Sequence, residues 1–530
     1  MQKKSISFSQ TGQFSRIITD YLNNENVLTP FYTWKQDISE FDAIIPDKAA
    51  EPIDRKLLTA ELQQQYQGLT DNDLVNANIL ALQDENTFCV VTAHQLNIFG
   101  GPLYIVYKTL SVIKLCSTLS EKYPDKKFVP MFWLGSEDHD FEEINHVKVF
   151  GKNYTWNDGL KGATGQFNTA GISTVTNELF AAFGNGPFVD ELKKIFTEAY
   201  LNNKTLADAT RIILHNLFAR FGLVVIDGAA TAFKAACSEI ILEELIHQTA
   251  EKIVNETLQN LPYPPQAKPR NINLFYLSDN VRERIVYNAS NQVYEVVNSD
   301  IVFTEAALRE EVKLHPERFS PNVILRPLFQ QKILPAIAFI GGAGEIAYWL
   351  QLKNLFAHFN IQFPMLLQRD SFVLVDAATN KKLQKLQLDA IDFFADEQAL
   401  IAGYVKNNSG QELSIEAEKK EMDAIFEGLL KKAVSIDSTL DKAVLAEKQA
   451  VLNAIAKLES KLLKAEKVKM EVQIGQITAI RAKLLPEGGM QERSENFISW
   501  YLKMGPAFID TLLSFTEQPA QTVTLLVFEE

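Results

Sequence analysis

At 530 residues the chain is too long for one ordinary core, and at about 100–200 residues per unit it points to roughly two to four folding units. With 46% hydrophobic and 22% charged residues, and only 24 Gly and 19 Pro, it is globular in character and excludes collagen-like and low-complexity classes. A net charge of −14 argues against broad nucleic-acid binding, which needs Lys and Arg to displace counterions, yet leaves room for a local basic pocket.

Cys89, Cys116 and Cys237 each sit in an apolar stretch and form no CxxC pair, which fits a reducing compartment and gives no thiolate set for zinc. The opening MQKKSISFSQTGQFS carries no apolar core of a signal peptide. No stretch approaches the ~18 uninterrupted apolar residues of a membrane span. Cytoplasm is the expected compartment.

The first 86 residues are polar and helical in tone, with helical spacing over 57–69 and 74–83. FCVVTA (88–93) then reads as a short strand. GGP leads into a helix over 103–123, where Leu103, Val106, Tyr107, Leu110 and Ile113 share a face and Pro102 suits the first turn. FVPMFWLG (128–135) is a second buried run, completing a βαβ unit of a parallel sheet. Residues 151–204, rich in Gly, Asn and Thr, read as an insertion. The alternation resumes with a helix over 205–222 closed by Gly222, a strand over 223–228, a strand over 334–342 and a helix over 345–359.

From 384 to 483 the chain turns rich in Lys, Glu, Ala and Leu and lacks Pro. Val444, Val451, Leu458, Ala465 and Val472 recur every seventh residue, with Ile455 and Leu462 filling the second core position of two heptads. A long antiparallel helical pair or coiled coil is expected there, serving packing or dimerisation. Residues 484–530 return to a globular pattern, with a strand in TVTLLVFEE.

Three strand-to-helix crossings carry the candidate chemistry, because ligands of parallel sheets bind where strands end and helix N–H groups lie unpaired. In the first, His94, Gln95 and Asn97 put three polar side chains in four residues, and Gly100 and Gly101 permit close backbone approach. The bland alternative is a satisfied turn capped by Asn97.

In the second, GSEDHDFEEINH, Asp140 and Glu143 have the spacing of a capping box. Glu137, Asp138 and His139 are left in the loop, where Asp138 is placed to orient the imidazole and raise its pKa. A metal set of His139, Glu142, Glu143 and His146 is a second reading; no HExxH stands behind it.

The third crossing holds Gly342-x-Gly344-x-x-Ala347, with no acidic residue about 20 positions on to complete a dinucleotide fingerprint. Glu345 and Tyr348 suit an amine or hydroxyl group there. Upstream, Arg318, Asn322 and Arg326 stand in a Pro-punctuated stretch, and each arginine suits either a carboxylate or phosphate ligand or a structural ion pair.

At these residues the chain resembles the BshC family, the cysteine ligases of bacillithiol biosynthesis. The blocks that carry the likeness are TAHQLNIFGGPLYIVYKTLSVIKL with VPMFWLGSEDHDFEEINHV, RFSPNVILRPLFQQKILPAIAFIGGAGEIAYWLQLK, and LLPEGGMQERSENF, together with TLADATRIILHNLFARFGLVVIDGA. They span nearly the whole chain in family order. One departure is that Ala93 and His94 stand where the family commonly has glycine and glutamine, which shifts weight from His94 to Gln95.

The resemblance implies an α/β fold: a Rossmann-like parallel sheet core with inserted connecting subdomains and a C-terminal coiled coil that dimerises. On that frame residues 1–150 hold N-terminal helices and the first half of the core, 205–383 the second half with a further insertion, and 484–530 a return to the core. The implied reaction joins cysteine to the amine of glucosaminyl-malate, with ATP as co-substrate, with or without magnesium, and no zinc. His139 is the expected general base, aided by Asp138 and Glu137. Gln95, Asn97, His94, Asp140, Asn322, Arg318, Arg326, Glu345 and Tyr348 are expected at substrate, with Glu137 on an ammonium and Arg318 or Arg326 on the malate carboxylates. Gly100, Gly101, Gly342 and Gly344 are expected at the nucleotide. A metal-dependent hydrolase and a non-catalytic nucleotide-binding adaptor are the competing readings.

Overall fold

The computed structural model describes residues 1–70, 72–202, 204–278, 281–410 and 414–529. Five strands form its central sheet: β1 (Thr87–His94), β2 (Lys127–Leu134), β3 (Val224–Asp227), β4 (Ala336–Gly341) and β5 (Met365–Gln368). All pair in parallel, in the order β5-β4-β1-β2-β3. Phe88 and Val90 pack on one face with Val112, Leu115 and Phe41, while Cys89 and Val91 pack on the other with Met131 and Ile226. Burial on both faces explains why these strands read as continuous apolar runs.

Helix α1 (Leu103–Lys122) makes the first crossover and α2 (Leu206–Phe218) precedes β3. The Thr205 hydroxyl accepts the Asp208 N–H at 3.1 Å to start α2. A short 3₁₀ turn and Gly222, at φ 76°, close it. Helices α3 (Arg326–Ile333) and α4 (Ala343–Trp349) flank β4. The chain thus winds outward from β1 to β3, then returns to the other side of β1 for β4 and β5. Adjacent strands β1 and β4 therefore diverge into opposite halves, and a crevice opens beyond their C-terminal ends.

Residues 146–201 form a hairpin (His146–Val149 with Lys152–Thr155) and short helices. The second insertion contains a five-stranded antiparallel sheet from Leu274–Ser278, Val281–Asn288, Val293–Val296, Val302–Phe303 and Phe319–Pro321, whose strands hydropathy does not announce. Its central strand, VRERIVYN, buries Arg282 and exposes Tyr287, so no clean alternation exists. A third sheet was legible only in part. Thr522–Val527 pairs in parallel with Ser371–Val375 and antiparallel with Gln2–Ser7, a polar N-terminal strand with Ile6 as its one buried residue.

The arm comprises α5 (Glu416–Ile436), α6 (Asp441–Lys469) and α7 (Glu471–Leu484). Ion pairs Lys419–Glu459 (3.1 Å) and Lys448–Asp423 (2.9 Å) show that α5 and α6 run antiparallel. The predicted heptad seam holds only in part. Val444, Val451 and Ile455 are half-buried, but Leu458, Leu462 and Val472 are 57%, 46% and 71% exposed. Over its second half the stripe turns away from the hairpin partner.

Candidate active site

The crevice between β1 and β4 holds a cavity of about 380 Å³, lined by His94, Gln95, Asp138, Arg326, Gly342, Gly344, Glu345 and Tyr348 among others. All three predicted crossings meet in it. Behind its lining residues Ala93 and Glu345 lies Lys108, a buried residue of α1 inside an apolar helix face, without a sign of its role in the sequence. Its ammonium donates to the Ala93 carbonyl at 2.7 Å and pairs with Glu345 at 2.6 Å. Glu345 also accepts the Gly342 N–H at 2.7 Å, closing the start of α4 with its own carboxylate. Burial would raise the Glu345 pKa, but Lys108 and His94 outweigh it and keep the carboxyl below its ordinary range.

His94 lies against the Tyr104 ring, 5.1 Å between centroids, with Nδ1 3.2 Å from the Gln95 carbonyl. A carbonyl only accepts, so Nδ1 carries the proton and Nε2 keeps its lone pair. Burial, reinforced by Lys108, pushes this imidazole down to about 4, so it is neutral at physiological pH.

Three arginines from separate segments reach the same cavity. Arg326 grips Asp138 with both guanidinium nitrogens, one contact being 2.9 Å. Burial opposes ionisation of Asp138, yet Arg326 and then Arg282 hold the carboxyl below its usual range. Arg369, 3% exposed, donates to Glu492 at 2.6 Å and lies over the Tyr104 ring. Arg493 is exposed and has no ion pair among the described residues. The signals for the last two were thin: an Arg-Asp pair after an apolar strand, and one arginine inside the quoted C-terminal block. That block is bound to the core by Asn496, which donates to the Phe99 and Gly101 carbonyls at 3.0 and 2.6 Å.

Several expectations are corrected. Asp138 is engaged by Arg326, not His139. The His139 ring instead faces the inserted sheet, with Arg282 donating to Nδ1 at 2.7 Å and Phe275 at 5.7 Å between centroids. Arginine cannot accept, so the His139 proton sits on Nε2, and the residue lines neither this cavity nor the larger one described below. Glu137 already holds an ammonium, that of buried Lys234, at 2.6 and 2.7 Å. Asp140 makes no side-chain cap bond, and Glu143 accepts from Gln95 at 3.1 Å, so the predicted capping box does not form.

Gly100 and Gly101, both at positive φ, pack beneath Phe497 and against Asn97 and Ile105 and line neither cavity. Asn97 lies beside Glu143, its Nδ2 3.5 Å from that carbonyl. Asn322 bonds Asn273 at 2.9 Å and supports the start of α3. Arg318 binds Glu311 at 2.6 Å and borders the second cavity. The alternative metal set does not assemble: the helix ends at Ile144, before His146, and Glu143 and His139 have the partners just given. Gly342, Gly344, Glu345, Tyr348, Gln95, His94 and Arg326 do converge.

The second cavity, about 1340 Å³, lies beyond the ends of β2 and β3. Ser136 and Glu137 face it, while their neighbours Gly135 and Asp138 face the first. The Ser136 hydroxyl donates to Asp227, at the end of β3. Segment 135–138 is thus a common wall, fixed by Glu137–Lys234 on one side and Asp138–Arg326 on the other.

A doubly wound parallel sheet, a charged crevice at its switch point and an appended helical arm define a Rossmann-like α/β protein with a coiled-coil domain. Residues 1–370 match the family model described as "Bacillithiol biosynthesis BshC, N-terminal Rossmann-like domain", and residues 372–528 match its "C-terminal coiled-coil domain". The chain belongs to the BshC family. Relatives each named "Putative cysteine ligase BshC" include one from Flavobacterium psychrophilum, 38% identical with 99% of each chain covered. Others come from Flavobacterium johnsoniae, 38% identical with 97% of each covered, and Cytophaga hutchinsonii, 39% identical with 94% of each covered. Among the described residues no helix is long and apolar enough to cross a membrane.

Proposed function

We propose that the chain is an ATP-dependent cysteine ligase that forms an amide between the cysteine carboxyl and the amine of glucosaminyl-malate. The observation that carries this reading is the convergence of Arg326, Arg369 and Arg493 with Glu345, Tyr348 and a neutral His94 in one crevice at the switch point of the sheet. Guanidinium groups suit carboxylate and phosphate oxygens, and Glu345 with Tyr348 suits an ammonium or hydroxyl. Gly342 and Gly344 leave the backbone open at the start of α4, so a phosphorylated or adenylated carboxyl has room beside them.

Amide formation requires the attacking ammonium to lose a proton. In this reading the proton leaves for solvent before attack, and the neutral His94, too weak a base at about 4 to take it, accepts a hydrogen bond from the free amine and orients it. The names of the relatives support cysteine as the amino acid. The exposed stripe of Leu458, Leu462 and Val472 supports pairing of two copies through the arm.

The test is to supply purified protein with ATP, cysteine and glucosaminyl-malate and to follow the amide product by mass spectrometry. Product that depends on all three substrates supports the reading. ATP bound without turnover under every substrate combination would instead favour the nucleotide-binding adaptor.

A further inference from the structure

We infer that the larger cavity, beyond the ends of β2 and β3, is a second substrate chamber that receives the body of the amine-bearing acceptor, a polyhydroxylated molecule carrying carboxylate. This rests on the ligase reading above, which needs two ligands to meet but leaves the acceptor without a seat. The switch-point cavity, about 380 Å³, is already occupied in that reading by the activated amino acid. The second is more than three times larger and shares segment 135–138 with it as a wall.

The charge inventory of the chamber points to the ligand class. Most of its charged side chains already have partners: Glu137 has Lys234, Asp208 has Arg211 at 3.1 Å, and Arg318 has Glu311. Lys161, exposed at the rim, is the one base of the lining with no ion pair among the described residues, while Glu61 and Asp227 are acids without one. That free cation suits a carboxylate brought by the ligand, and the free acids suit its amine and hydroxyl groups.

The uncharged lining combines an apolar part, with Leu69, Leu160, Phe167 and Ile212, and a hydrogen-bonding part. Gln64, Gln67, Gln166, Thr231 and Ser278 border the space, and their side chains hold no protein hydrogen bond among the described residues. Those free amides and hydroxyls suit the hydroxyl groups of a ligand. Asp227, already accepting from Ser136 and from the Ala229 N–H at 3.0 Å, has a second carboxylate oxygen for a ligand hydroxyl at the wall itself. The acceptor's body lies in this chamber, and its amine reaches over segment 135–138 toward the switch-point cavity.

The experiment uses the full chain and synthetic glucosaminyl-malate as probe, with binding measured by calorimetry and each substrate's KM measured in the turnover assay. Lys161→Glu reverses the free charge in an exposed loop, Gln166→Trp fills the chamber from an exposed position, and Asp227→Asn alters the wall. Each is expected to raise the acceptor Kd and KM by about tenfold or more, as loss of a charge-assisted contact does, while the KM values for cysteine and ATP stay within about twofold. Lys161→Arg is expected to restore acceptor binding. Wild-type turnover with unchanged acceptor KM in Lys161→Glu and Gln166→Trp would overturn the chamber and leave the ligase reading standing. No acceptor binding and no turnover by the wild-type chain would overturn both.

Discussion

Replacing Lys234 by Met tests the wall between the two cavities. The Lys234 ammonium is 1% exposed and donates to both Glu137 oxygens, at 2.6 and 2.7 Å, and to the Phe319 carbonyl at 3.0 Å. Burial lowers the lysine pKa despite the attraction of Glu137, so the charged pair is held at a desolvation cost. Removing the lysine leaves a carboxylate 9% exposed with no counter-charge, and such single deletions cost about 3–5 kcal/mol. With a urea dependence of roughly 3 kcal/mol per molar, the midpoint of the transition that reports the core should fall by about 1–2 M. Glu137→Gln together with Lys234→Met removes both charges and should recover most of that loss. Circular dichroism and limited proteolysis, followed across the urea series, read the same units separately where the chain does not unfold in one step. A midpoint drop under about 0.3 M for the single variant would refute the buried pair, as would a double variant no more stable than the single.

Other predictions follow from the site. The folded His94 pKa of about 4 lies below its unfolded value of 6.5, so the unfolded chain takes up the proton first and stability contributed by this residue falls as pH drops from 6.5 toward 4. His94→Gln should flatten that part of the stability–pH curve relative to wild type; an identical curve would contradict a depressed His94 pKa. Arg493→Ala should leave the melting temperature within about 1 °C, because the side chain is exposed and unpaired, yet weaken ATP or cysteine binding by about tenfold, read by calorimetry. Lys108→Met should lower both stability and kcat, because it removes the Ala93 contact and frees Glu345; unchanged kinetics would separate this lysine from the site. On the proposed pairing of two copies through the arm, the wild-type chain should scatter light as a dimer and Leu458→Glu with Leu462→Glu as a monomer of unchanged helical content; a wild-type monomer would refute the pairing.

The sheet was legible because its strands are buried on both faces and so read as uninterrupted apolar runs, each followed by a polar loop and a helix. Those loops located the crevice, and the glycines of the third crossing fell inside it. Partner choice within the loops was not legible. Asp138 and His139 are adjacent in sequence, but one is engaged by Arg326 from α3 and the other by Arg282 from an inserted strand, nearly 150–190 residues away. Lys108 was hidden because a single lysine in an apolar helix face carries no local sign of the carbonyl and carboxylate it meets. Gly100 and Gly101 were misread because their positive φ serves packing under the C-terminal segment, which sequence proximity does not reveal. The arm's heptads gave the helices and their pairing, while the drift of Leu458 and Val472 to the surface depends on where the hairpin partner ends.

The central claim is that the crevice between β1 and β4 binds the carboxyl to be activated, together with the nucleotide that activates it. A crystal of this chain soaked with cysteine and a non-hydrolysable ATP analogue measures that directly. The account predicts ligand density bounded by His94, Gly342, Glu345, Arg369 and Arg493. Density only in the larger cavity, or only along the helical arm, would contradict it.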